Sequence, residues 1–134
     1  MTNTKIRKTI LILVSLIGIT INASYGISLL MNFFIAQNND AIQEILISAI
    51  ALEFSWAALL FWVIFNPFER RHLLLFTAIP MLLGNLLHSY NLYTHAESTT
   101  GAIALNLIVG IFVAGIFVFA FLIGKPHETK NGSL

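Results

Sequence analysis

Four apolar blocks dominate this chain, each near or above the ~18–20 residues that carry a helix across a bilayer. They run over residues 10–36, 41–65, 72–93 and 101–124, with only short polar pieces between them. A segment that spans a membrane has to satisfy its own backbone, which leaves helices or a closed barrel. The alternating ~10-residue segments of a barrel are absent. The expected fold is therefore an all-α membrane protein, a four-transmembrane-helix bundle with short loops. It forms one domain over residues 1–134, with helices at about 9–36, 41–66, 71–93 and 100–124 and a polar tail at 125–134. Only 10% of the residues are charged and 57% are hydrophobic, whereas a soluble domain is roughly 25% charged.

Charge gives the orientation. Lys5, Arg7 and Lys8 precede the first helix, Arg70 and Arg71 join the second to the third, and Lys125 and Lys130 follow the fourth. These are all seven basic residues; the other two connections hold Asp40, His95 and Glu97 and no Lys or Arg. The positive-inside rule then puts both termini in the cytoplasm, and the expected setting is a bacterial cytoplasmic (inner) membrane. Apolar residues continue through Ile35, past the ~7–15-residue core of a signal peptide, so the first helix reads as uncleaved. The formal net charge of +1 gives no pointer to nucleic acid. The absence of cysteine excludes disulfides, thiol redox chemistry and thiolate metal sites.

Against this apolar background Glu53 stands out, because it lies near the middle of the second block. An acid at that depth is disfavoured by about 2.5 kcal/mol or more and is by default a functional residue. Helical spacing gives it candidate neighbours. Gly18, Asn22, Tyr25, Leu29 and Asn32 share a face of the first helix, Ala49, Glu53, Trp56 and Leu60 a face of the second, and Gly84, His88, Asn91 and His95 a face of the third, with Asn85 beside it. Ala102, Asn106, Gly110 and Ala114 recur at four-residue steps in the fourth, where small residues indicate close helix contact. The remaining faces of that helix carry Phe112, Phe117, Phe119 and Phe121, which suit lipid or a partner subunit.

Depth sharpens the pattern. Counted from the outer helix ends at ~1.5 Å per residue, Glu53 and Tyr25 lie about 16 Å in, Asn85 about 13 Å, and His88 and Asn106 about 9 Å. The cytoplasmic half is almost wholly apolar apart from Ser15, Thr20, Ser55 and Thr77. This asymmetry predicts a polar pocket that opens outward and is closed from below by an apolar plug. Pro80 is expected to bend the third helix and widen the outer half, with Thr77 re-satisfying part of the freed backbone. The candidate ligand-binding residues are Glu53, His88, Asn85, Asn22, Tyr25, Trp56 and Asn106. Taken singly, each asparagine is more often a hydrogen-bonding link between helices, and Trp56 more often packing, than a ligand contact.

Known chemistries narrow the choice. Bis-histidine haem needs paired histidines at depth, and only His88 lies within a span. A catalytic metal wants three or so protein ligands, and Glu53 and His88 supply two. No lysine sits in a span for a retinal Schiff base. No cofactor is implied. Four helices with one membrane glutamate superficially resemble the small multidrug resistance exporters, but in that family the glutamate is on the first helix, and here it is on the second. The Glu/Arg/Asn pattern that membrane enzymes of glutathione metabolism carry on helix two is also missing. Three readings remain: a binding or sensing module whose pocket takes a proton, a cation or a small amphiphilic ligand; an accessory subunit docked on other membrane subunits; and a lipid-modifying enzyme with Glu53 and His88 as acid and base.

Overall fold

The structure, a computed structural model, describes residues 2–35, 40–94 and 100–125; within the helices, the side chains of residues 2, 40, 41, 88, 91 and 92 lie outside that description. The described chain is all-helical. It comprises α1 (Thr2–Ile35), α2 (Asp40–Phe65), α3 (His72–Thr94) and α4 (Thr100–Ile123). Three stretches, Asn3–Ile35, Ile42–Phe65 and Thr100–Ile123, are long and apolar enough to cross a membrane, while the apolar stretch of α3, His72–Leu87, is shorter. α1 begins at Thr2 rather than near residue 9, because nothing in the polar leader breaks a helix and Arg7 is anchored to α4. α2 ends at Phe65, before Asn66-Pro67, as expected where a proline disfavours helical geometry in the residue before it. The turn 66–71 is closed by backbone bonds from Arg70 to Asn66 (3.1 Å) and from Leu73 to Arg70 (3.0 Å). The 125–134 tail lies outside the described residues beyond Lys125.

The bundle consists of two tight hairpins, α1 with α2 and α3 with α4, joined more loosely to each other. Glycines set the first pairing. A Cβ built on Gly18 would sit 2.7 Å from Leu60 Cδ1 and 2.9 Å from Phe117 Cζ, and one on Gly26 would sit 3.1 Å from the Phe54 ring. Gly18 thus lets α1 approach both α2 and α4 at once. In α3 and α4 the close approach is at Gly110, where the Asn85 amide lies directly on the glycine backbone.

Among the described residues the buried apolar side chains gather toward one end. They are Leu11 and Val14 of α1, Ala57, Leu60 and Val63 of α2, Leu74 and Ala78 of α3, and Ala114, Phe117 and Ala120 of α4. This basic end of the bundle carries residue 2, the 66–71 turn and residue 125. Phe117 corrects the sequence reading, which put it on an outward face: it is wholly buried. It continues the small-residue line from Gly110 through Ala114 by one more three-residue step and fills the space that Gly18 leaves open. Phe112 and Phe119 are exposed, and the Phe121 ring lies tilted against His72 with the ring centroids 5.2 Å apart.

Arginines close the basic end. Arg7 Nε donates to the carbonyl of Ile123 at 2.7 Å, and a second nitrogen of the same guanidinium donates to the carbonyl of Lys125. Arg71 donates to the carbonyl of Gly124 at 2.6 Å. The last carbonyls of α4 are orphaned by the helix geometry, and cations there also meet the negative end of the helix dipole. Arg70 stacks 3.9 Å above the Trp62 ring and donates to its carbonyl at 2.7 Å.

Candidate functional site

Beyond the buried core, away from the basic end, the two hairpins enclose a cavity of about 660 Å³. Every helix contributes to it. α1 supplies Ile21, Asn22 and Tyr25; α2 supplies Leu52, Glu53 and Trp56. α3 supplies Thr77, Pro80, Met81, Gly84 and Asn85, and α4 supplies Asn106, Val109, Gly110 and Val113. Six of the seven residues singled out from sequence therefore face one space. The seventh, His88, lies on α3, but its side chain falls outside the described residues.

The floor is built by Trp56. Its indole N–H donates to the Thr77 hydroxyl at 2.9 Å, and that hydroxyl donates to the Leu73 carbonyl at 2.7 Å. Both groups are thereby satisfied where α2 crosses α3, and the indole plane is held in place. Thr77 does not take the role expected of it beside Pro80. Its hydroxyl reaches the carbonyl four residues back in its own helix, which is the bond a helical threonine makes most easily. α3 remains helical through Pro80, which lines the cavity.

The asparagines are partly committed to structure. Asn22 is buried and donates to the Gly18 carbonyl at 2.7 Å. Asn106 donates to the Ser89 hydroxyl at 2.8 Å and stands 3.5 Å from Asn85 Oδ1. Ser89, wholly inside and not singled out from sequence, thus completes a polar link between α3 and α4. The inward line of α3 runs through Leu74, Ala78, Met81, Asn85 and Ser89. Of the expected line through residues 84, 88, 91 and 95, Gly84 also lines the cavity, and the side chains of the other three lie outside the described residues. The spacing of four between Asn85 and Ser89 was the available signal. On α1, Gly18 and Asn22 are inside, whereas Tyr25 is 63% exposed at the rim and Asn32 is exposed.

Glu53 differs from these residues. Among the described residues no hydrogen bond or ion pair engages its carboxyl, and among those lining the cavity it is the one formally charged group. The acid therefore stands half-buried between apolar walls, with amides and a phenol on the facing helices. No three His, Cys, Asp or Glu side chains come together among the described residues. Comparison of the chain with known protein families, curated proteins and solved structures finds no match.

Proposed function

We propose that the chain is a four-span integral membrane protein, with both termini on the cytoplasmic side of a bacterial inner membrane. We propose further that the cavity around Glu53 is an outward-opening pocket for a small amphiphilic cation. The span count is supported by the length of α3: its 23 residues reach ~34 Å, against a hydrocarbon thickness of ~30 Å. Its polar residues Asn85 and Ser89 are turned to α4 rather than outward. The orientation is supported by the confinement of all seven basic residues to the two terminal segments and the 66–71 turn.

The observation that carries the pocket reading is the Glu53 carboxyl, without a partner among the described residues, on the wall of a cavity large enough for a small molecule. Sites of ~300–1,000 Å³ with mostly apolar walls and a few fixed polar groups are the usual form of small-molecule pockets. A neutral apolar ligand would bury the carboxylate without a partner, which is unfavourable. An anion would find no Lys or Arg on the lining. An organic ammonium fits both features: its charge pairs with Glu53, and its apolar body lies on Leu52, Met81, Val109 and the faces of Trp56 and Tyr25, which also attract cations.

The test uses Trp56 emission in a Trp62→Phe background, in nanodiscs of neutral phosphatidylcholine. Octyltrimethylammonium should shift the emission saturably, and the uncharged octyldimethylphosphine oxide should bind at least about tenfold more weakly, a difference of ~1.4 kcal/mol. Glu53→Gln should remove the difference between the two. Equal binding of both probes to the parent protein would contradict the reading.

A further inference from the structure

Another concavity, a groove of about 420 Å³, lies at the basic end between α1 and α4. Its α1 wall is Asn3, Ile6, Arg7 and Ile10, and opposite them stand Leu122 and Ile123 of α4 and Lys125 just beyond its end. The spacing of three and four places the α1 residues on one helical face. We infer that this groove holds one anionic phospholipid, with the phosphodiester between Arg7 and Lys125 and an acyl chain along Ile6, Ile10 and Leu122. The inference rests on the membrane reading above and not on the outer pocket.

Three observations converge. The first is position. Arg7 is level with the end of α4, because it donates to the carbonyls of Ile123 and Lys125. The turn of α1 that precedes it, with Asn3, therefore projects past the last residues of α4. α1 has 34 residues and a length of ~51 Å, well beyond the ~30 Å of a hydrocarbon core, so its excess extends into the headgroup layer. The second is charge. Among the described residues no acidic side chain pairs with Arg7 or Lys125. The guanidinium of Arg7 is held by two of its five N–H groups, so it is already oriented when an anion arrives. The third is the wall. Ile6 and Leu122 are each about half exposed beside these cations, an apolar strip that continues toward the membrane interior through Ile10. An inorganic phosphate would use the cations and leave the strip uncovered; a phospholipid uses both. Basic pockets between helices at the cytoplasmic face are a general form of anionic-lipid site.

The experiment is native mass spectrometry of the full chain released from nanodiscs of phosphatidylcholine containing a minority of phosphatidylglycerol. The first retained lipid should be phosphatidylglycerol, enriched more than about tenfold over its share of the bilayer for two cations. The Lys125 ammonium makes no hydrogen bond among the described residues, and Arg7 is held by the Lys125 carbonyl rather than its side chain, so Lys125→Gln leaves the arginine anchor intact. It should lower the enrichment about fivefold. Lys8→Gln, outside the groove, should leave it unchanged. Ile6→Asp should reduce retention of both lipids, and excess inorganic phosphate should displace neither. Equal losses from Lys8→Gln and Lys125→Gln would mean diffuse surface charge and overturn the site. Displacement by inorganic phosphate would overturn its assignment to a lipid. Insertion into pure phosphatidylcholine without selective retention from the mixture overturns this inference alone; failure to insert at all overturns the membrane reading beneath it.

Discussion

Substituting alanine for Gly110 tests the packing that shapes the cavity wall. A Cβ at Gly110 would lie 2.3 Å from Asn85 Cγ and 2.5 Å from both its Oδ1 and Nδ2. No carbon approaches that closely, so the amide must move. Gly115, on the same helix, is open: a Cβ there meets nothing within 4 Å. The two sites share the helical gain of glycine to alanine, up to about 1 kcal/mol. Only Gly110→Ala adds an overpacking penalty, typically about 1–3 kcal/mol. Gly115→Ala should therefore be neutral or more stable by up to about 1 kcal/mol, and Gly110→Ala should lie below it by about 1–3 kcal/mol. Unfolding of both variants in the same micelles, by heat or by denaturing detergent, measures the difference. Equal shifts would refute the close approach of α3 to α4. Because the displaced Asn85 amide also lines the cavity, Gly110→Ala should weaken ammonium binding while Gly115→Ala leaves it unchanged.

Three further outcomes follow from the same geometry. Phe117→Ala should destabilise the bundle by about 3–5 kcal/mol, as for a buried aromatic; the exposed Phe112→Ala should lie within about 0.5 kcal/mol of the parent, and similar losses from both would put Phe117 outside the core. Trp56→Phe and Thr77→Val should be non-additive, each removing the same hydrogen bond of about 1 kcal/mol; an additive double-mutant cycle would mean the bond is not formed. A reporter active only outside the cytoplasm, fused after Leu134, should stay silent, and activity would reverse the orientation.

How much of this was legible in the chain differs from helix to helix. The number and approximate extent of the helices followed from the apolar blocks, and the Ala49–Glu53–Trp56–Leu60 line of α2 followed from helical period, because one costly acid marked its face. The inward line of α3 was legible in part: Gly84 and Asn85 both line the cavity, and Ser89 was not singled out. Polar or small residues occupy two neighbouring faces, Gly84 with His88 and Asn85 with Ser89, and the packing of Asn85 on Gly110 of α4 turns the second of them toward α4. Phe117 was missed for a related reason. Beyond Asn106 α4 is apolar all round, so hydrophobicity does not separate the face packed on protein from the one left open; the small residues Gly110 and Ala114 were the signal, and the next step along their line was Phe117. The capping of α4 by Arg7 and Arg71 joins residues more than fifty positions apart, and no local pattern announces it. Thr77 was read as a support for Pro80, whereas its hydroxyl answers to Leu73 and Trp56.

The central claim is that Glu53 lies in a pocket reached from the outer face and occupied by cations. The chain contains no cysteine. Gly84 lines the cavity and is exposed, and a Cβ placed on it would meet nothing within 4 Å. Gly84→Cys therefore reports access directly. In intact cells, a membrane-impermeant maleimide added outside should label this cysteine. Octyltrimethylammonium should slow the labelling, and adding Glu53→Gln should abolish that protection while leaving the labelling itself intact. No labelling from outside, or protection that persists without the carboxylate, would contradict the account.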